Sequence, residues 1–331
     1  MKKVKYLVQR ILDIDYKNLF RVLSSLHKKT GKSYIFLIYD IMKCGMKHGA
    51  GYMDYSLFEM YNMTEEIRST IMTRGRNNEL IAKYNQKAYI DIFHNKGKFD
   101  EKFNRYLKRD WIVLDGINKE SCIEFLKNHD EVFVKPIGGS CGKRMRKCLS
   151  SELLQSYDEL VMEKPLLLEE MILQDQKMDL LYAGAVNTIR IVSINDHKKI
   201  NIVVAYVRIG NGSFVDNFNH GGMVAPVSEK TGIILAPAVD KSGNVYEKHP
   251  ITGTTFENFQ IPCWKQVIKL VNELAKQVPE VGMVGWDIAI SKKGPVVVEG
   301  NEFPGHDIYN LPAHRKDGSG VYPKFLKIKK E

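Results

Sequence analysis

The stretch from Met283 to Asn301 leaves this chain few options. Two apolar runs, residues 283–291 and 295–299, flank Lys292-Lys293-Gly294, a tight turn. Such runs around such a turn predict an antiparallel β-hairpin. Asp287 lies near the start of the first strand, and Glu299 and Asn301 lie at the end of the second. Pairing across the turn brings the three together, and residues 299 and 301 share a face because strand side chains alternate. Trp286 and Gly300 face the other way. Three hard oxygen donors on one face suit Mg²⁺, which takes carboxylates together with phosphate oxygens. The competing reading is a solvated hairpin that carries its acids by chance.

Four further segments weigh on that choice. Phe133-Val-Lys135-Pro-Ile-Gly138-Gly139-Ser140-Cys-Gly142-Lys143 reads as a strand that delivers a lysine into a glycine-rich loop. Glycines let backbone N–H groups approach phosphate oxygens. It is not a Walker A loop, because Ile137 stands where the first glycine is needed and Arg144 replaces Ser/Thr. It is not a G-x-G-x-x-G turn either. The basic residues that follow, Lys143, Arg144, Arg146 and Lys147, read equally as a phosphate contact or as a solvated face. Leu166-Leu-Leu-Glu169-Glu170-Met-Ile172 is an apolar strand ending in two carboxylates, an edge that can stack an adenine and accept from ribose hydroxyls. Arg190 and Arg208 each sit in an apolar run, and an arginine in a sheet interior needs a partner. An anion such as a transferring phosphoryl group is a natural partner, and for Arg190 the alternative is a structural ion pair with Glu299 or Asp287. Finally, Phe214-Val-Asp216-Asn217-Phe-Asn-His220-Gly-Gly is a polar, glycine-rich connection of the kind that carries function on rigid scaffolds, with His220 a candidate base.

The rest of the chain sets the frame. Residues 1–90 read as mostly helical. Val4, Leu7, Val8 and Ile11 make an apolar stripe with Lys2, Lys3, Lys5 and Arg10 mainly off it, which suits packing on a core or resting on an anionic membrane surface. Thr64 reads as a helix N-cap followed by Glu65 and Glu66. From about residue 130 the texture becomes β-rich, with strands expected at 131–137, 166–172, 187–194, 202–209 and 223–227 besides the hairpin. One good helix follows Pro262, with Val267, Leu270, Val271, Leu274 and Val278 on one face, and ends at Pro279. The chain has 331 residues, enough for two or three domains at roughly 100–200 residues each.

Charge and cysteine content exclude several classes. Lys plus Arg is 49 and Asp plus Glu is 39, a formal net charge of +10 that favours anionic partners. No nucleic-acid-binding motif occurs, and the basic residues are spread along the chain, so nucleic acid is not the expected partner. The best apolar run, residues 34–39, meets Asp40 at once, far short of the ~20 residues of a membrane span. Five cysteines with no C-x-x-C pair support neither a disulfide framework nor a zinc ribbon and imply a reducing, cytoplasmic setting. Gln9, Arg10, Asp13 and Asp15 interrupt the N-terminal apolar residues, so a signal peptide is not expected.

In this order, the five segments resemble the ATP-grasp superfamily over residues 96–331. The arginine strand, the second strand ending in Arg208, the Asn-x-x-x-Gly-Gly loop and Glu299-Gly-Asn301-Glu-Phe-Pro304-Gly305 lean towards the α-L-glutamate ligase type. Residues 186–191, 216–222, 285–301, His249-Pro250-Ile-Thr-Gly and Lys47-His-Gly-Ala-Gly-Tyr-Met-Asp-Tyr55 are closer still to the sugar-transfer-associated ATP-grasp proteins, found beside glycosyltransferases in surface-polysaccharide gene clusters. The resemblance implies an α+β ATP-grasp fold, two β-rich lobes clasping ATP (residues 96–172 and 173–331), preceded by a mainly helical region (residues 1–95). It implies phosphate contacts from Lys96, with Lys98 the rival, and from Lys135. Gly138, Gly139, Ser140 and Gly142 would form a lid, Glu169, Glu170 and Ile172 an adenine hinge, and Asn217 a further nucleotide contact. Asp287, Glu299 and Asn301 would hold one or two Mg²⁺ ions, with Mn²⁺ a substitute. Arg190 and Arg208, with Lys135, would stabilise the transferring phosphoryl group.

The implied activity is an ATP-dependent carboxylate–amine (or carboxylate–thiol) ligase working through an acyl phosphate. Its expected substrates are a small or glycan-linked carboxylate, such as a sugar acid or sugar-linked amino acid, and an amine. A kinase that stops at phosphoryl transfer and a non-catalytic nucleotide-binding module are the alternatives. Two departures from the family pattern stand out. Some relatives carry Arg two residues before the metal-binding Asp, where this chain has Gly285. The helical N-terminal region also does not read as the usual α/β first domain.

Overall fold

The computed structural model describes residues 15–138, 145–162 and 165–328, and of His220 the backbone alone. The stripe expected at residues 4–11 lies outside them. Two compact units divide the chain: residues 15–80 with 305–328, and residues 81–304.

The first unit is helical, as expected. Asp15 and Ser33 cap the helices Tyr16–Thr30 and Tyr34–His48 by accepting from the backbone N–H groups of Asn18 and Phe36, and Gly31 and Gly49 end them in the left-handed conformation. Thr64 caps Glu65–Thr70 by accepting from Ile67 N at 3.3 Å. Leu23, Leu26, Leu37, Cys44, Tyr55, Phe58 and Met60 form the core. Inside it the Arg68 guanidinium meets both Asp40 oxygens, at 2.8 and 2.6 Å, and the Tyr55 hydroxyl donates to Asp40 Oδ2 at 2.7 Å. The returning segment is stitched in by fully buried Asn310. Its Nδ2 donates to Met72 O at 3.1 Å, and its Oδ1 accepts from Met72 N and Val321 N.

The second unit holds two antiparallel sheets. The smaller comprises β1 (Trp111–Leu114), β2 (Glu131–Pro136), β3 (Arg146–Leu149) and β4 (Leu166–Glu170), in the order β1-β4-β2-β3. Alternation sends Leu114, Val132, Val134, Leu166 and Leu168 to one face, packed on Phe125, Leu126, Leu153 and Tyr157 of the covering helices. Phe133, Lys135, Leu167 and Glu169 are left on the other face, with Glu169 between Phe133 and Trp111 in register.

The larger sheet comprises β5 (Ile189–Asn195), β6 (Ile200–Ile209), β7 (Met223–Val227), β8 (Ala238–Asp240), β9 (Val245–Tyr246), β10 (Met283–Ser291) and β11 (Gly294–Asn301), in the order β11-β10-β5-β6-β7-β8-β9. One face buries Ile189, Ile191, Val207, Trp286, Ile288 and Val297 against the helices Lys96–Leu107 and Trp264–Leu274. Each such side chain contributes roughly 1.5–3 kcal/mol. Trp286 lies edge-on to Phe103, with ring centroids 5.6 Å apart, and its indole N–H donates to Ser193 Oγ at 2.9 Å.

The expected strands are present within two residues at either end. Strands β1, β3, β8 and β9 were not legible, being two to four residues long and lacking alternation. The helix after Pro262 ends at Leu274, earlier than expected, although Val278 is still buried in the same cluster.

Candidate active site

The hairpin β10–β11 turns through Lys292 and Lys293, with Ser291 paired to Gly294, whose φ of 90° only glycine adopts readily. From the turn to Ile288, which faces Val297, the ladder runs in step; it then skips Val298, so that Asp287 faces Glu299 and Gly285 faces Asn301. This bulge decides which side chains share a face. Without it Asp287 would face Val298, and Glu299 would point to the core side beside Trp286. With it, Asp287, Glu299 and Asn301 share the face away from the core. On the core side Gly300 is pressed against two rings: a Cβ there would lie 2.9 Å from Phe99 and 3.0 Å from Phe93.

Two arginines converge on the same place. Arg190 on β5 pairs with Asp287 in register, so both point to one face. Its Nε donates to Asp287 Oδ1 at 2.5 Å and its Nη2 to Oδ2 at 2.9 Å; Arg208 Nη1 donates to Oδ2 at 2.9 Å. Asp287 is 2 % exposed. Burial pushes its carboxyl up, but the two guanidinium charges outweigh burial and hold it well below the usual range. Glu299 goes the other way. Burial, the adjacent Asp287 charge and a hydrogen bond to Asp287 raise its carboxyl. Asn301 Nδ2 donates to Glu299 Oε1 at 3.2 Å. The space at position 285 is already taken: a Cβ on Gly285 would lie 2.8 Å from Pro304 Cβ and 3.2 Å from Arg190 Cδ.

Beside this face lies a second charged cluster. Glu169 is 2 % exposed and held from both sides. Arg109 Nε reaches its Oε1 at 2.9 Å, Arg109 Nη2 contacts the same oxygen, and Lys135 Nζ contacts Oε2. Burial alone would raise the Glu169 carboxyl; Arg109 and Lys135 pull it below the usual range. Arg109 also donates to Val297 O at 2.8 Å, which ties the small sheet to β11 beside the bulge. Asp100, on the helix Lys96–Leu107, is pushed up to about 7 by burial and by the Glu169 charge.

Lys96 begins that helix. Its N–H donates to Ile137 O at 3.2 Å, and Gly97 allows the turn to press on Val113. Burial lowers the Lys96 ammonium, while Glu299, Glu169 and Asp100 oppose that effect and nearby Lys135 adds to it. Lys98 is exposed and paired with Asp91. Lys96, Lys135, Glu169 and Glu299 are therefore brought together, and Lys98 is not among them.

Other expected site residues spread out. Gly138 is exposed at the start of the glycine-rich loop, whereas Gly139, Ser140 and Gly142 lie outside the described residues. Glu170 points to the face opposite Glu169, where its Oε2 accepts from Asp110 N at 3.0 Å. Ile172 is half-buried just past β4. Asn217 caps a short 3₁₀ turn, Phe218–His220, by accepting from Asn219 N.

Next to Asn217, Asp216 is buried and accepts from the Thr188 N–H at 2.8 Å and from the Thr188 hydroxyl; Arg208 Nη2 lies 3.8 Å away. The start of this loop is braced at Gly210. Asn187 Oδ1 accepts from Gly210 N at 3.1 Å. His249 Nδ1 accepts from Ile251 N and Thr252 N, so Nε2 carries the proton and donates to Gly210 O at 2.9 Å. Sequence reasoning assigned no role to Arg109, Asp100 or Asp216. Asp216 at least stood in a loop already singled out; Arg109 and Asp100 carried no signal.

Residues 75–324 match the family model for sugar-transfer associated ATP-grasp. The chain belongs to that family. The sugar-transfer associated ATP-grasp chain is also similar in fold to solved ATP-grasp structures. One is the ATP-grasp ligase PsnB complexed with minimal precursor, at 13% identity over 75% of this chain and 64% of that one, TM-score 0.45. Another is D-alanyl-alanine synthetase A from Vibrio cholerae, at 12% identity over 72% of this chain and 61% of that one, TM-score 0.40. A third is the D-alanine-D-alanine ligase from Coxiella burnetii, at 13% identity over 72% and 53%, TM-score 0.37. The chain thus spans less than two thirds of the length of these proteins. No curated protein matches it at a significant level.

The ATP-grasp family implies a divalent ion with its nucleotide, and the residues here fit one. The carboxylates of buried Asp287 and half-buried Glu299 face each other across the bulge, and Asn301 adds a neutral oxygen on the same face, a set of hard oxygen donors that suits a divalent ion. No helix among the described residues is long and apolar enough to cross a membrane.

Proposed function

We propose that this chain is an ATP-dependent ligase that joins a carboxylate to an amine through an acyl phosphate, with a sugar acid or sugar-linked amino acid as one substrate. The observation that carries the reading is the convergence of Arg190 and Arg208 on Asp287, on the sheet face where the bulge places Glu299 and Asn301. Two guanidinium groups converging on one sheet face offer planar, charged donors of the kind that bind phosphate oxygens.

Asp287, Glu299 and Asn301 would hold Mg²⁺, with Mn²⁺ a substitute; a bound ion supplies charge neutralisation at the phosphate oxygens. Lys135 and Lys96 contact the phosphates, and Glu169, gripped by Arg109, fixes the direction of the Lys135 side chain. Gly138 begins the lid that continues through Gly139, Ser140 and Gly142. Glu170 and Ile172, at the end of β4, flank the adenine, and Asn217 reaches the nucleotide from the braced loop. A substrate carboxylate oxygen attacks the γ-phosphorus, the bond to the bridging oxygen breaks, and ADP leaves. Arg190 and Arg208 meet the charge that develops on the transferred group. An amine then attacks the acyl carbon, phosphate departs, and the amine proton passes to solvent.

The test is phosphate and ADP release from ATP and Mg²⁺ with panels of uronic acids, nucleotide-sugar acids and amino acids, for wild type beside Glu299→Gln. Turnover that needs both a carboxylate and an amine, reduced about 10²–10³-fold in the variant, is expected. Turnover with one substrate alone, leaving a stable phosphorylated product, would assign a kinase instead. Nucleotide binding without turnover across the whole panel would count against a ligase of this substrate class.

A further inference from the structure

The helix Tyr34–His48 carries apolar residues on two opposite sides. Leu37, Asp40, Cys44 and His48 line its buried side, against the core of the first unit. On the opposite side Ile35, Ile38, Tyr39, Met42 and Met46, spaced i, i+3, i+4, i+7 and i+11, form a second stripe that faces outward. Ile35 is 82 % exposed, Tyr39 65 % and Met46 70 %. Phe20, on the preceding helix, is 65 % exposed. A helix with two apolar faces is normally buried on both, and a contiguous apolar patch of this kind marks an interaction surface.

The charges around the stripe choose the partner. Between residues 16 and 50 the only acidic residue is Asp40, which is buried against Arg68, while Glu59 and Glu65 from the following segment meet Lys29 and Lys47. Lys17, Arg21, Lys28 and Lys43 stand on the same two helices with no acid beside them in sequence. A second copy would set this basic rim against itself. Residues 1–14 would bring Lys2, Lys3, Lys5 and Arg10 against a single Asp13. An anionic bilayer answers both features, taking the apolar stripe into its interface and the basic rim at its headgroups. We infer that the outward face of the helix Tyr34–His48 docks flat on an anionic membrane surface.

Co-sedimentation of the full chain with vesicles tests this. Binding is expected to phosphatidylcholine vesicles containing about 30% phosphatidylglycerol, and at least about tenfold weaker binding to phosphatidylcholine alone or in about 0.5 M salt. The double variant Ile38→Asp, Met42→Asp should bind at least about tenfold more weakly with an unchanged melting temperature. Lys17→Glu with Lys43→Glu, which leaves the apolar stripe intact, should weaken binding as well. Failure of the wild type to bind anionic vesicles overturns the inference, as does full binding by the Ile38/Met42 variant. Loss of binding in Leu7→Asp, Ile11→Asp but not in the Ile38/Met42 variant would also overturn it, by assigning the contact to residues 1–14. A dimer dissolved by the Ile38/Met42 variant, without vesicle binding, would assign the face to a second copy.

Discussion

Replacing Lys135 with methionine separates its hold on Glu169 from the phosphate contact proposed for it. Lys135 Nζ contacts Glu169 Oε2, while Arg109 holds Oε1 through two nitrogens. Lys135→Met keeps most of the side-chain volume and leaves Glu169 with Arg109. The structural loss is therefore one charge-assisted hydrogen bond, about 1.5–3 kcal/mol, and not the ~3–5 kcal/mol of a buried charge left alone. At about 2–4 °C per kcal/mol, the free protein should melt roughly 3–12 °C lower. Nucleotide should show the proposed contact. At about a hundred times its Kd, a bound nucleotide adds ~2.7 kcal/mol, a rise of roughly 5–11 °C in the wild type.

If Lys135 also contacts phosphate, losing about 2–3 kcal/mol there raises Kd some 30–150-fold. The same nucleotide concentration then adds under about 1 kcal/mol, a rise of roughly 1–3 °C. The assay is thermal melting with and without ATP and Mg²⁺, with Lys98→Met as the comparison, since Lys98 sits outside the cluster on Asp91. A Lys135→Met protein that keeps the full nucleotide-induced rise would refute the phosphate contact. A Lys98→Met protein that loses it would move that contact to Lys98.

Two further outcomes rest on packing and charge elsewhere. Gly285→Ala should cost about 1–3 kcal/mol, because the new Cβ overlaps Pro304 and crowds Arg190; an unchanged denaturation midpoint would contradict that geometry. Asp40→Asn strips Arg68 of its buried anion and should cost about 3–5 kcal/mol in denaturant unfolding. Burial raises the Asp40 carboxyl, but Arg68 and Tyr55 outweigh it and hold it below its usual value. The ion pair therefore contributes fully above the unfolded-state value of about 4 and is lost as pH falls further, so the variant's stability should depend less on pH below about 4. An acid limb as steep as that of the wild type would contradict this.

What was legible follows from the range of each physical signal. The hairpin and its three oxygen donors could be read because strand alternation and a tight turn act within twenty residues. The bulge at Val298 could not, since nothing in Val-Val-Val-Glu marks which valine leaves the ladder; a strict ladder from the turn would have parted Asp287 from Glu299. Arg190 and Arg208 were visible as charges in apolar runs, and the structure supplies Asp287 as their partner. Arg109 was invisible for the opposite reason. It stands in Lys-Arg-Asp, which reads as solvated surface, and its partner Glu169 lies sixty residues away.

Gly285 shows how a local departure can mislead. Read along the chain, it is an arginine missing two residues before Asp287. Read in space, it is the gap through which Arg190 passes from the next strand to the same carboxylate. An arginine at 285 and one at 190 would contend for one volume beside one anion. With glycine at 285, the guanidinium beside Asp287 comes from Arg190 on the neighbouring strand.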